Sequence, residues 1–244
     1  IQFFVDWGNI TSLSMKVGAK LFKGRSHTRA TIDQMITLGI DSLGITVVTA
    51  VFTGMAFSVQ VVREFIKFGA ADMVGGVVGL AIWRELGPLL TGVVVCGRVG
   101  AAISAELGTM KVKEQIEALE SMAQDSVDFL VVPRVLACAF MMPLLVGLAD
   151  IVGFLSGLLV AVLSGNINPY SYFGSAESML RAVDIWGGLV KGVVFGIVIA
   201  LLSSYMGLKA TGGAKGVGEM TTKGVVVSLF AVFIINYLLS IMLF

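Results

Sequence analysis

Five stretches of this chain carry no acidic or basic side chain: residues 42–62, 135–149, 151–176, 192–208 and 224–244. Alone or joined, such runs reach the roughly 17–25 residues that a helix needs to cross a hydrocarbon core. The pattern predicts spans over residues 35–62, 73–105, 130–164, 185–208 and 223–244. Ahead of them, Phe3, Trp7, Ile10, Leu13, Val17 and Leu21 recur at three- and four-residue steps, with Asp6, Asn9, Ser12, Lys16, Lys20 and Lys23 between them. That is an amphipathic helix too polar to span, suited to lying in the headgroup layer, and it opens a 1–34 interfacial segment and link. The fold class expected is therefore all-α integral membrane, one domain over 1–244.

The links between spans are unequal. Residues 63–72 and 166–184 read as short polar links, the second with Pro169 and Tyr170, and residues 207–222 as a Gly- and Thr-rich loop. The segment 106–125 differs. Val112, Ile116, Leu119 and Ala123 form one face, while Lys111, Lys113, Glu114, Glu117 and Glu120 cover the rest. It predicts an amphipathic helix between spans two and three, either a passive surface helix or a dock for a soluble partner.

Composition agrees with the pattern. Of 244 residues, 57% are apolar and 14% charged, against roughly 45–50% and about 25% in soluble domains. A net charge of +1 with no concentrated basic patch argues against nucleic acid as a partner. Cys96 and Cys138 fall in apolar runs and read as packing residues, and His27 is the sole histidine, so no metal site is expected. The opening residues lack the apolar core and cleavage site of a secretory signal, and Ile1 in place of Met implies numbering that begins inside a longer chain.

Lys and Arg set the orientation. Twelve of the seventeen, among them Lys16, Arg29, Arg98, Lys111, Arg134 and Lys215, fall on one side of the predicted spans, against Arg63, Lys67 and Arg181 on the other. The positive-inside rule puts the N-terminus and residues 106–128 in the cytoplasm and the C-terminus outside. Small residues also recur every fourth position: Gly92, Cys96, Gly100, Ser104 and Gly108; Gly153, Gly157, Ala161 and Gly165; Gly188, Gly192, Gly196, Ala200 and Ser204. Such stripes let helix backbones approach closely in lipid.

The sharpest chemical signal is Arg84-Glu85-Leu86-Gly87-Pro88 inside the second span. A charge at bilayer depth costs at least roughly 2.5–3.5 kcal/mol on insertion scales, so it is paired or faces a polar cavity. Pro88 lacks the N–H that would bond the Arg84 carbonyl, which predicts a kink and a freed acceptor at the same place. Two readings stay open: a structural ion pair with Lys191 or Asp150, or a cavity wall that contacts a polar headgroup. No Walker-type phosphate loop occurs, since the run 212–218 misplaces its lysine, and no hydrolase motif is present. The chain reads as a non-enzyme with no cofactor of its own.

With Arg84 to Pro88, then Gly97-Arg98-Val99-Gly100-Ala101-Ala102, the run from Ala105-Glu106-Leu107-Gly108 through Lys111-Val112-Lys113-Glu114-Gln115-Ile116-Glu117 to Leu119, Val132-Pro133-Arg134 and the 212–218 loop, the sequence resembles the MlaE/YrbE family over nearly its whole length. The resemblance implies the permease of a lipid transporter, working as a homodimer with a separate ATPase that binds ATP and with an MCE-domain partner across the bacterial inner membrane; a chloroplast inner envelope is the other seat. It implies a cytoplasmic coupling helix carrying Glu106, Lys111, Lys113, Glu114, Glu117 and Glu120, and a phospholipid pocket to which Phe57, Arg84, Glu85 and Leu86 contribute. Met220 departs from the small residue common there. The rival class is an ion-coupled transporter with Arg84, Glu85 and Lys191 as a relay; no inverted repeat supports it.

Overall fold

The computed structural model describes the backbone of residues 2–22 and 28–244 and the side chains of residues 8–20 and 28–244. The side chains of Phe3, Asp6, Trp7 and Leu21, and all of Lys23, Arg25 and His27, lie outside what is described. Among those described, every regular element is a helix: α1 (Gln2–Phe22), α2 (Thr28–Lys67), α3 (Ala71–Val112), α4 (Gln115–Ser121), α5 (Val127–Gly165), α6 (Pro169–Met179), α7 (Ala182–Leu208) and α8 (Gly213–Leu243). Helices α2, α3, α5, α7 and α8 are long and apolar enough to cross a membrane.

Three boundaries differ from the sequence reading, each for a local reason. The segment expected as one helix over 106–125 breaks at Glu114, which takes the left-handed conformation at φ 57° and separates α3 from α4. The loop expected over 207–222 is mostly helix, because Gly212 and Gly213 absorb the reversal at φ 80° and 72° and α8 starts at once. The polar link 166–184 holds α6: Asn168 Oδ1 accepts from the Tyr170 N–H and Pro169 occupies the first helical position, a start signal legible in the sequence.

The long helices are not uniformly α. Wide π turns interrupt α2 at Ile36–Ile40, α3 at Ile82–Leu86 and at Cys96–Gly100, and α5 at Val127–Val131. Such turns mark functional positions often enough to direct attention to what they carry.

Packing separates the helices into two compact units. One takes in the described residues of Ile1–Ser42, Val95–Met141 and Val193–Ile234, the other Leu43–Val94, Met142–Gly192 and Ile235–Phe244. In the first, Leu13 and Val17 turn the predicted inner face of α1 inward while Met15 is exposed. Gly100 lies against Ser203 and Ile199, Gly108 against Ala210 and Val217, and Ser104 Oγ donates to the Ser203 carbonyl at 2.8 Å. In the second, Val62, Val74, Val78, Ile82, Phe154 and Tyr172 form the core. Gly54 sits on the Gly153 carbonyl, and Ser58 Oγ donates to the Gly157 carbonyl at 2.8 Å. Glycines of all three predicted stripes take part in these approaches, where a larger side chain would hold the backbones apart.

Candidate functional site

Because Pro88 has no N–H, the second span widens just before it: the Gly87 N–H bonds the Ile82 carbonyl five residues back, closing the π turn that holds Arg84 and Glu85. The carbonyl of Arg84 is indeed freed, and Lys191 of α7 takes it at 2.8 Å. The same ammonium donates to Glu85 Oε1 at 2.9 Å and to Ser240 Oγ at 2.8 Å, so all three of its hydrogens are used. Ser240 donates to Glu85 Oε1 at 2.7 Å and Asn236 Nδ2 to Glu85 Oε2 at 2.8 Å. Lys191 is wholly buried, and this saturation is what makes a buried ammonium tolerable.

Arg84 turns the other way. Its Nε donates to Asp184 Oδ1 at 2.8 Å, while Asp184 Oδ2 accepts the Arg181 N–H at 2.7 Å at the start of α7. The Phe244 ring lies 4.8 Å from the guanidinium carbon and 5.2 Å from the Lys191 nitrogen, a cation–π contact with both. Of the two partners the sequence suggested, Lys191 is used and Asp150 is not. Asp184, Asn236, Ser240 and Phe244 were missed, yet two signals were present. Asp184 and Lys191 are seven residues apart, two helical turns on one face, and Asn236 and Ser240 are an i, i+4 polar pair in an otherwise apolar span.

Beside this network, within the same unit, a small apolar pocket with a cavity volume of about 20 Å³ is lined by Thr46, Thr49, Thr53, Leu86, Leu90 and Thr91, with Gly54, Gly87 and Gly153 at its walls. Of the predicted lipid contacts, Leu86 lines it, Phe57 packs against the core around Val61 and Val78, and Arg84 and Glu85 join the charge network.

In the other unit the predicted coupling residues form a second cluster. Lys113, Glu114, Glu117 and Glu120 are exposed, and Ile116 is buried beneath them. Lys111 pairs with Glu117, Glu106 with the buried Arg134 at 2.8 Å, and Glu120 accepts from Ser126 at 2.8 Å. Lys20 of α1 pairs with Asp125, whose carboxyl is held below its ordinary value chiefly by that hydrogen bond; Lys111 does the same to Glu117. Among the described residues no group of His, Cys, Asp and Glu could hold a metal, and Cys96 and Cys138 are buried free thiols.

Five helices among the described residues that are long and apolar enough to cross a bilayer define an integral membrane protein of the polytopic helical class. The model of one family, the permease MlaE, matches residues 31–242. A probable ABC transporter permease protein of Synechocystis is 46% identical over 95% of this chain and 88% of its own length. The chloroplast protein TRIGALACTOSYLDIACYLGLYCEROL 1 of Arabidopsis thaliana is 41% identical over 95% of this chain and 66% of its own length. A probable ABC transporter permease protein of Rickettsia typhi is 38% identical over 100% of this chain and 94% of its own. The chain belongs to the MlaE permease family.

Proposed function

We propose that the chain is the membrane subunit of an ABC transporter that moves phospholipid between the inner and outer membranes of a cell envelope. The observation that carries this reading is the family match across 31–242; the names of the Synechocystis and Rickettsia relatives support an ABC permease, and that of the Arabidopsis relative a glycerolipid cargo. ATP is hydrolysed on a separate subunit, which docks on the face carrying Glu106, Lys111, Lys113, Glu114, Glu117 and Glu120. Lipid is held by Phe57, Arg84, Glu85 and Leu86, apolar chains against the pocket that Leu86 lines and the headgroup toward the paired charges.

Two copies work together, and the apolar face of α8 supports this: 11% of its most apolar stretch is buried, against 50% in α3 and α7, leaving Phe230, Phe233, Tyr237 and Ile241 bare. An MCE-domain protein receives or delivers lipid on the far side. The N-terminus faces the cytoplasm of a bacterial inner membrane, or the matching side of a chloroplast envelope. An ion relay through Arg84, Glu85 and Lys191 is disfavoured, since every Lys191 hydrogen is already committed.

The test is reconstitution with the neighbouring ATPase. Glu117→Lys with Glu120→Lys is expected to leave folding intact and abolish stimulation of ATP hydrolysis and lipid transfer together. Unchanged coupling would remove α4 as the contact, and a purified complex without ATPase or bound phospholipid would overturn the transporter reading.

A further inference from the structure

Asp150 of α5 is the one buried acid in its unit that the charge network leaves aside. It is 0% exposed, and neither carboxylate oxygen has a hydrogen-bond partner. Its Oδ1 rests on the Cα face of Gly87, where a Cβ would fall on it, directly after the π turn that carries Arg84 and Glu85. On the same side of Gly87 lies the Ile82 carbonyl oxygen, the acceptor that closes that turn.

The charges on the surrounding elements are all spoken for. On α3, Arg84 is paired with Asp184 and Glu85 with Lys191; on α7, Asp184 and Lys191 are those same partners. The 43–62 part of α2 carries no ionisable group, the 142–165 part of α5 carries none besides Asp150, and the 235–244 part of α8 offers only the exposed Tyr237. Burial at 0% leaves no path by which lipid or a second copy could supply a counter-charge. An isolated carboxylate without a cation or a donor is among the costliest things a protein interior can hold, and such a group neutralises instead.

We propose that Asp150 is a proton-binding site: its carboxyl carries a proton in this state, its O–H directed at the Ile82 carbonyl, so that a neutral acid stands behind the hinge of the second span. Binding takes one proton from water and leaves the acid uncharged. Releasing it sets a bare negative charge against Gly87 and the Ile82 carbonyl, which pushes the π turn away from α5 and makes the position of Arg84 and Glu85 sensitive to proton concentration. The proposal is independent of which cargo the protein moves.

The test is infrared spectroscopy of the purified protein in lipid nanodiscs at neutral pH. The wild type is expected to give a carboxylic-acid carbonyl band that shifts in heavy water and on isotope labelling of aspartate, that is absent from Asp150→Asn, and that persists in Glu177→Gln, which alters an exposed acid. If Asp150→Asn does not fold, aspartate labelling of the wild type still assigns the band to an aspartate, of which, among the described residues, Asp150 is the buried one with no cation against it. No aspartic acid band at neutral pH in the labelled wild type overturns the proposal.

Discussion

The ion pairs at Arg84 and Lys191 and those at Lys20 and Lys111 all join a basic side chain to a carboxylate, yet their cations differ in burial. Lys191 is 0% exposed and makes three hydrogen bonds. Lys20 and Lys111 are partly exposed, and their partners Asp125 and Glu117 are about half exposed. In the first setting Lys191 and Asp184 are buried, so their charges must be answered by protein, while Arg84 and Glu85 stay partly exposed. In the second, solvent answers whatever the partner does not, and pairing adds little. The buried cluster therefore fixes the relation of α3, α7 and the end of α8, whereas the exposed cluster is free to exchange partners, which is what a docking surface requires.

The sharpest way to break that contrast is Lys191→Ala, which takes the cation from Glu85 and the donor from the Arg84 carbonyl; a loss of about 1–3 kcal/mol is expected, read as melting temperature in nanodiscs. Removing both charges, Glu85→Gln with Lys191→Met, should cost less than Lys191→Ala alone, because no orphan charge remains; a larger loss would mean the pair itself is stabilising. Next is Gly87→Ala, whose Cβ would fall on Asp150 Oδ1: overpacking of this kind costs about 1–3 kcal/mol, and Gly97→Ala, with open space around it, is the matched control.

At the exposed cluster the effects are small. Lys20→Ala should change stability by about 1 kcal/mol or less, measurable as protease sensitivity of α1. The sign with pH follows from the lowered Asp125 carboxyl. Its contribution is fully present above the ordinary carboxylate range and is lost as pH falls through the lowered value, so α1 should loosen only in acid and Asp125→Asn should remove that dependence. Glu117, lowered by Lys111 in the same way, shares the sign.

Much of this is legible in the sequence alone. Charge-free runs located five spans, because a bilayer imposes a length and excludes unpaired charge. Pro88 announced a freed carbonyl, because a missing N–H is a covalent fact. Less legible was which partner each charge takes: Asp150 and Asp184 both sit near the ends of apolar runs, and only the rotation of α5 and α7 about their axes separates them. The break at Glu114 was also hidden, since a non-glycine residue at positive φ leaves no mark in a polar sequence.

By itself, then, the sequence determined the class of protein, the number of spans, the tight packing along glycine stripes and the place of the charged pair, all of which follow from solvent exclusion and from local covalent chemistry. Only the tertiary structure decided that Lys191 answers both Glu85 and the Arg84 carbonyl, that Asp184 answers Arg84, and that Asp150 is left against Gly87 with no partner, because those outcomes depend on helix rotation and register, which many packing contacts set jointly and no single residue encodes.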